Sequence, residues 1–408
     1  MGKMKKTNQK IPEGWSVKKL GEMGKFVSGG TPDTEKPEYW NGDIIWLTPS
    51  EITKLPTRFV SDSERKITRA GLKNSSAVLL PVGSLIICTR ATVGDCCINI
   101  KEVSTNQGFK NLIPENSNID FLYYLISSHK TDLIRKACGS TFLEISKHDI
   151  EKLKYSVPPL SEQEKIAEIL GAWDLAIEKL TALIEQKKLL KKGLMQRLLT
   201  GKQRLPGFSD PWKKVKLGEL FSKSLLKNKE AKTLPILTNS AAQGIILQDE
   251  YFDREIVTKE NISNYYCVEN GDFIYNPRIS KKAPAGPIKR NHFQEKGCIS
   301  PLYTIFKINQ ENYASFYEMY FESNLWVYEA YKVANYGVRS DRMNITDEDF
   351  FDIKLPYPPL SEQKAIADIL SKADEEIDLL TRKLSALKEQ KTGLMQQLLT
   401  GKIRVKVA

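Results

Sequence analysis

The chain has 408 residues, which favours two or three domains because a single hydrophobic core stops growing at about 250–300 residues. Its 41% hydrophobic and 27% charged residues are typical of a soluble globular protein, and no apolar run reaches the ~18 residues needed to cross a bilayer. The basic N-terminus lacks the apolar stretch of a secretory signal, so we expect a cytoplasmic protein. A net charge of +11 favours a polyanionic partner, either nucleic acid or a membrane surface.

Residues 1–157 form the first predicted domain. Short β-branched and aromatic runs alternate with glycine turns and a helical stretch, NIDFLYYLISSHK, which indicates a mixed α/β domain. Polar residues gather around CTRATVG and STNQG, and arginine commonly reads guanine while asparagine or glutamine reads adenine. The candidate DNA-binding residues in these two stretches are Arg90, Thr92, Asn106 and Gln107.

Residues 158–205 begin with PPLSEQEKIAEIL and form one long predicted helix. Two prolines mark its start, Ser161 followed by Glu164 indicates a capping box, and Gly201 suits a helix end. Apolar residues step by three and four, which is the narrow stripe of a coiled-coil seam, although lysines interrupt it at 187 and 191. The predicted seam comprises Ile166, Leu170, Trp173, Ile177, Leu180, Ile184, Leu194 and Leu198.

Residues 206–357, the second predicted domain, share a frame with the first domain but differ from it in their loops. Leu-Gly-Glu follows a tryptophan in both (Trp15 and Trp212), and an arginine follows a glycine by seven residues in both (Arg90 and Arg278). Two basic stretches, YNPRISKKAPAGPIKRNH and NYGVRSDRMN, contain glycine or proline and are predicted to be loops. Their candidate DNA-binding residues are Arg278, Lys281, Lys282, Lys289, Arg290, Tyr336, Arg339 and Arg342.

Residues 358–408 repeat the long helix and end in a short tail. PPLSEQKAIADIL at 358–370 aligns without a gap to 158–170, the alignment continues to the end of both helices, and Ser361 repeats the cap. Two matched seams in one chain most economically pack on each other, as rods of ~60 Å at ~1.5 Å per residue. The second predicted seam comprises Ile366, Leu370, Ala373, Ile377, Leu380, Leu384, Leu387, Leu394 and Leu398.

No catalytic motif stands out in the sequence. It contains no P-loop, dinucleotide-binding fingerprint or Gly-x-Ser-x-Gly motif, and the six cysteines form neither a CxxC motif nor a Cys/His cluster, so we predict no metal site. One alternative function is a metal-dependent nuclease that uses Asp33, Glu64 and Lys66. The other is a coiled-coil scaffold or interaction protein without sequence-specific DNA binding.

The duplicated Pro-Pro-Leu-Ser-Glu-Gln helix, its GLMQ-x-LLTGK ending and the two divergent halves resemble the specificity subunit of type I restriction–modification systems. The stretch GGTPDTEKPEYWNGDIIWLTPSEI at 29–52 is also similar to the opening of many target-recognition domains in that family. It adds Thr31, Lys36 and Thr48 to the candidate DNA-binding residues. The second half has no counterpart of this stretch, so loop details do not carry over to it.

The resemblance implies a mixed α/β (α+β) fold with an internal pseudo-twofold repeat, in which two long antiparallel coiled-coil helices join two target-recognition domains. Each domain would read one part of a bipartite site on double-stranded DNA, and the helix pair would set the spacer. The partners would be two methylation subunits that bind S-adenosylmethionine and restriction motor-nuclease subunits that use ATP and Mg²⁺. This chain would then be a non-catalytic subunit with no cofactor of its own and no membrane partner.

Overall fold

A computed structural model describes residues 11–137, 144–230, 234–251, 262–309, 311–334 and 341–407. The chain divides into two compact units: unit 1 consists of Met1–Leu183 with Thr381–Ala408, and unit 2 of Ile184–Leu380. Both divisions fall inside long helices, so each unit contains a part of each long helix. The end of the chain therefore belongs to the same unit as its beginning.

Unit 1 is built on small β-sheets. A mostly antiparallel sheet has the order β2-β9-β6-β7-β4, a second has the order β5-β3-β8 with β3 parallel to β8, and β1 pairs with β10. Its described strands are β1 (Ser16–Lys19), β2 (Gly24–Ser28), β3 (Trp40–Leu47), β4 (Phe59–Val60), β5 (Arg65–Ile67), β6 (Leu85–Cys88), β7 (Cys96–Asn99), β8 (Val103–Thr105), β9 (Phe109–Pro114) and β10 (Lys154–Val157).

Short helices cover these sheets. Strand β6 is buried on both faces, which is why it is apolar throughout. Leu85 and Ile87 pack in a hydrophobic cluster with the helix at 119–128, and Ile86 and Cys88 pack with β3 and β8. The described helices are α1 (Pro49–Ile52), α2 (Arg69–Lys73), α3 (Ile119–Ser128), α4 (Lys130–Lys136) and α5 (Lys147–Glu151), with 3₁₀ turns at Leu20–Glu22 and Pro37–Tyr39.

The first long helix, α6, spans Leu160–Leu198. It begins before the predicted cap, because the Pro159 carbonyl accepts hydrogen bonds from the amides of Glu162 and Gln163, each at 3.0 Å. The capping box predicted at Ser161 is therefore wrong, and the serine lies inside the first turn. Ser361, predicted as a cap alone, also lies inside a first turn, because the Pro359 carbonyl accepts from the amides of Glu362 and Gln363, each at 2.9 Å. At the other end Gly201 has the left-handed φ of +68° that the sequence predicts for a helix terminus.

Unit 2 repeats the plan of unit 1 with different loops. Its sheets have the orders β12-β19-β16-β17 and β14-β13-β18-β15, with β13 parallel to β18, and β11 pairs with β20. The described strands are β11 (Lys213–Lys216), β12 (Phe221–Lys223), β13 (Ile236–Ser240), β14 (Gly244–Leu247), β15 (Tyr266–Val268), β16 (Phe273–Tyr275), β17 (Ile288–Arg290), β18 (Gly297–Ile299), β19 (Thr304–Ile308) and β20 (Lys354–Tyr357).

Helices of unit 2 bury an aromatic core against the β12-β19-β16-β17 sheet. Phe221 makes edge-on contacts with Phe273, Phe306 and Tyr317 at centroid distances of 5.2–5.5 Å. The described helices are α7 (Leu217–Leu220), α8 (Gln248–Tyr251), α9 (Ala314–Glu322), α10 (Val327–Val333), α11 (Asp347–Phe351) and the second long helix α12 (Leu360–Leu399), with a 3₁₀ turn at Ile262–Asn264.

The two long helices pack antiparallel, as predicted. In unit 1 Asp174 of α6 forms an ion pair with Lys391 of α12, and in unit 2 Asp374 of α12 pairs with Lys191 of α6. Every residue of the two predicted seams is buried or half-buried. The predicted fold class, mixed α/β domains with two long antiparallel helices and an internal repeat, is confirmed.

Candidate nucleic-acid interface

The loops that follow β3 and β8 in unit 1 bring several predicted DNA-binding residues together. Because β3 and β8 are parallel and Leu47 lies opposite Thr105, both strands end at the same edge. The Asn106 amide donates to the Leu47 carbonyl at 3.1 Å, which places Asn106 beside Thr48. Asn106 and Gln107 thus lie next to Thr48, so these side chains belong to one surface that could contact neighbouring base edges.

The glycine-rich loop at 29–36 joins this edge. The Gly30 amide donates to the Thr105 carbonyl at 2.9 Å, and Thr31 Oγ1 donates to Gln107 Oε1. Gly29 approaches so closely that a Cβ there would lie 1.9 Å from the Asn106 carbonyl oxygen, which explains the glycine.

Two tryptophans hold the same loop in place. Trp46 Nε1 donates to the Gly30 carbonyl at 2.9 Å, and Trp40 Nε1 donates to the Asp33 carbonyl at 3.0 Å. Lys36, on the same loop, is exposed, with its ammonium 5.3 Å from the centre of the Tyr39 ring. The tryptophans therefore position the loop that contains Thr31 and the exposed Lys36.

Arg90 reaches the same edge together with a carboxylate that the sequence did not single out. The Thr89 amide donates to the Gly108 carbonyl at 2.8 Å, and the Ile145 amide donates to the Thr89 carbonyl at 3.2 Å. Arg90 Nε donates to Glu144 Oε2 at 2.6 Å. The sequence gives no signal for Glu144, because its partner Arg90 lies 54 residues away in the chain.

Two predicted residues of unit 1 are less available than expected. The Thr92 hydroxyl is buried, and Thr48 uses its hydroxyl to bond Glu51 Oε2 at 2.6 Å in the first turn of α1. Lys110, which was not predicted, lies half-buried near Arg90 and Glu144. Its pKa is lowered, chiefly because burial penalises the charged ammonium.

In unit 2 the predicted cations separate into two groups. The first lies where the loop after β16 meets the segment before α11: the Ile279 amide donates to the Asp341 carbonyl at 3.0 Å, and Arg278 forms a backbone bridge with Arg342. Asp341 Oδ2 lies 3.9 Å from Arg278 Nη2 and 3.7 Å from Arg342 Nε. The exposed lysines of this group are Lys281 and Lys282.

The second group is engaged with α9. Lys289 pairs with Glu322 at 2.9 Å, and Arg290 pairs with Glu318 at 3.5 Å. Both cations come from β17 and are half-buried, so they hold α9 against the sheet in this structure. Their predicted role in DNA binding remains a prediction, and Tyr336 and Arg339 lie outside the described residues.

The residues of the alternative nuclease site have separate partners. Asp33 accepts from the amide of Glu35 at 3.0 Å, Glu64 lies 3.8 Å from Lys54, and Lys66 pairs with Asp62 at 3.0 Å. Within the described ranges no group of three or more histidine, cysteine, aspartate or glutamate residues could hold a metal ion.

Three buried or half-buried cysteines are poor candidates for a nucleophile. Burial raises the pKa of Cys88, Cys96 and Cys298 to about 12, so these thiols stay protonated at neutral pH. Among the helices that the structure describes, none is both long and apolar enough to span a lipid bilayer.

The chain is similar to known proteins along both halves. A family model described as the type I restriction modification DNA specificity domain matches residues 12–187 and again 209–389. The MjaIX specificity subunit of Methanocaldococcus jannaschii is 31% identical over 274 residues. The match spans 65% of this chain and 62% of that protein, so the chain covers less than two thirds of that relative's length. The putative MjaX specificity subunit of the same organism is 28% identical and covers 97% of this chain and 95% of its own length.

Solved structures share the fold. The S subunit of a type I restriction–modification system from M. genitalium superposes with a TM-score of 0.55 at 16% identity, covering 97% of this chain and 98% of that one. A chain from a structure of type I restriction–modification complex assembly gives a TM-score of 0.58 at 17% identity, covering 97% of this chain and all of the other.

Proposed function

The chain belongs to the family of DNA specificity domains of type I restriction–modification systems, of which it carries two copies, and we propose that each copy reads one part of a bipartite site on double-stranded DNA. The observation that carries this proposal is the equivalent arginine in each unit: Arg90 and Arg278 each form an isolated backbone bridge, and the loops around them differ in sequence. Two different loop sets on one repeated frame suit two different base sequences.

The long helices support a spacer function in this proposal. Helices α6 and α12 have 39 and 40 residues, about three times the length of an ordinary globular helix. Rods of that length suit the separation of two reading surfaces. Their length would then fix the number of unread base pairs between the two parts of the site.

We further expect two methylation subunits and additional restriction subunits as partners. Large apolar side chains exposed on the long helices are consistent with a protein partner that covers them. On α6 these exposed residues are Leu160, Leu175, Leu183, Leu189 and Leu190. In this proposal the chain binds and positions DNA in the cytoplasm, and the partners bind S-adenosylmethionine, ATP and Mg²⁺.

Methylation mapping tests the function. The chain is co-expressed with a methylation subunit from its source, and N6-methyladenine on a plasmid is mapped by long-read sequencing, with the methylation subunit alone as control. A split motif with a fixed gap is the expected result. Arg90→Ala should weaken or relax one part of the motif only, and the exposed Arg135→Ala on α4 is the matched control that should leave the motif intact.

Active methylation subunits whose activity does not depend on this chain would contradict the proposal. The coiled-coil scaffold would then be the better account of the long helices, since it predicts partner binding without sequence-specific DNA binding.

A further inference from the structure

The two equivalent arginines each face a carboxylate. Arg90 contacts one carboxylate oxygen of Glu144, Oε2, through both Nε and Nη2, each at 2.6 Å. Arg278 Nη2 lies 3.9 Å from Asp341 Oδ2. In both units the segment before a short helix, α5 or α11, forms an isolated antiparallel backbone bridge at the arginine, from Glu144 in unit 1 and from Arg342 in unit 2. The backbone of both units therefore brings an acidic residue to the arginine.

The exposure of these pairs differs from that of the structural ion pairs nearby. The Arg90 and Glu144 side chains are 46% and 32% exposed, and those of Arg278 and Asp341 are 62% and 57% exposed. Lys289, which holds α9, is 22% exposed. Each arginine–carboxylate pair is thus accessible to a ligand within its own unit: Arg90 lies beside the loop that contains Gln107, and Arg278 belongs to the group that contains Lys281 and Lys282.

An arginine–carboxylate pair suits a base edge and not a phosphate. A phosphate offers only acceptor oxygens and a negative charge, so a carboxylate beside the arginine repels it. A G·C pair in the major groove offers the acceptors O6 and N7 of guanine beside the N4 donor of cytosine. Arg90 Nη2 carries two hydrogens, so the outer edge formed by Nη1 and Nη2 is still able to donate while Glu144 is bound.

We propose that Arg90–Glu144 and Arg278–Asp341 each recognise a G·C base pair, with the arginine donating to guanine and the carboxylate accepting from the cytosine amino group. The carboxylates also lower the affinity for unrelated DNA. That affinity comes from counterions that cations displace from phosphates, and an arginine paired with a carboxylate does not displace one. In unit 2 a second arginine, Arg342, shares Asp341, so one positive charge remains for the DNA backbone. This inference rests on the proposed function.

The test uses the chain assembled with its methylation subunits and duplexes that contain the mapped site with each base pair replaced in turn. For the unmodified chain each half-site should contain a G·C pair whose replacement by A·T weakens binding about tenfold or more. Glu144→Gln should weaken that discrimination at one position of one half-site, because a neutral amide orients Arg90 less firmly and accepts less strongly from the cytosine amino group. Asp341→Asn should do so in the other half-site. Both variants should bind an unrelated duplex several-fold more tightly, with a salt dependence steeper by about one unit in log–log slope.

Matched controls remove the same charge elsewhere. Glu168→Gln removes the acid of an exposed pair with Lys165 at 2.8 Å in unit 1, and Asp352→Asn removes that of the Lys216 pair at 2.8 Å in unit 2. Neither should change a base preference. Glu144→Asp keeps the charge and should keep the low affinity for unrelated DNA even if it shifts the geometry, and thermal unfolding of each variant checks that the fold is intact.

Two results would overturn the inference while the proposed function stands: half-sites without a G·C pair, or a Glu144→Gln variant with the base preferences and salt dependence of the unmodified chain. Binding of all duplexes alike by the unmodified assembly would instead contradict the proposed function, and the inference with it.

Discussion

Two glutamates in the first turns of the long helices, Glu162 and Glu362, are clamped in the same way. Glu162 accepts from Trp15 Nε1 at 3.1 Å and from Arg404 Nε and Nη2 at 2.7 and 2.8 Å. Glu362 accepts from Trp212 and Arg204 at 2.7–2.8 Å. Each arginine follows the other long helix in sequence. The repeat aligns Glu162 with Glu362 and Arg204 with Arg404, but it does not show that each glutamate meets the arginine of the other copy.

Trp15→Phe removes one hydrogen bond to the buried Glu162 carboxylate. It should lower the free energy of unfolding of unit 1 by about 2 kcal/mol, because a hydrogen bond to a charged acceptor usually contributes ~1.5–3 kcal/mol. Hydrogen exchange is the measurement, since it reports each unit separately. Amides of α3 should exchange faster, and amides of α9 should not change.

Trp212→Phe is the matched variant in unit 2. Amides of α9 should then exchange faster, and amides of α3 should exchange as they do in the unmodified chain. Equal effects of one substitution on both helices would show that the two clamps are not local to their units.

At the scale of elements, the stepping of apolar residues predicts both long helices and their seams, but it does not explain the lysines within the stripe. Lys191 and Lys391 occupy seam positions, and each pairs with an aspartate of the opposite helix, Asp374 or Asp174. Asp174 also accepts from Tyr124 of α3 at 2.5 Å. A periodic pattern within one helix carries no information about a partner on the other helix, which is why the lysines looked like interruptions.

We expect these ion pairs to favour the observed register of the antiparallel helices, because a shift of one turn would leave each lysine opposite another residue. In unit 2, Lys191→Asp alone should destabilise the protein by about 1 kcal/mol, and the exchanged pair Lys191→Asp with Asp374→Lys should recover most of that loss. Urea unfolding of the two single variants and the double variant measures the coupling.

The exposed pair Lys165–Glu168 within α6 is the control for charge exchange, since it lies three residues apart on one helix and cannot report register. Its exchange should give a coupling of about 0.5 kcal/mol or less. Coupling of the same size in both pairs would argue that the seam lysines do not set the register.

At the scale of the whole molecule, the duplication itself predicts two units of similar plan, and the resemblance predicts their fold. The convergence of Thr31, Thr48, Asn106 and Gln107 depends on the parallel pairing of β3 with β8, which joins segments about 60 residues apart. Loop composition alone could not show that pairing, nor could it separate Lys289 and Arg290, which bind α9, from the exposed lysines. Residue type therefore finds candidates, and topology decides which of them meet.

The proposed spacer function predicts how the recognised DNA changes when the helices lengthen. Insertion of seven residues into α6 after Leu183 and into α12 after Lys383 keeps the heptad seam and leaves the ion pairs of both units matched. Seven residues add about 10 Å at ~1.5 Å per residue, which corresponds to about three base pairs at ~3.4 Å each. The methylated motif should keep both half-sites and gain about three unspecified base pairs in its gap, as long-read mapping would show.

Insertion in α6 alone breaks the match between the helices and should reduce methylation at every site. A full-activity variant with an unchanged gap would mean that helix length does not set the spacer.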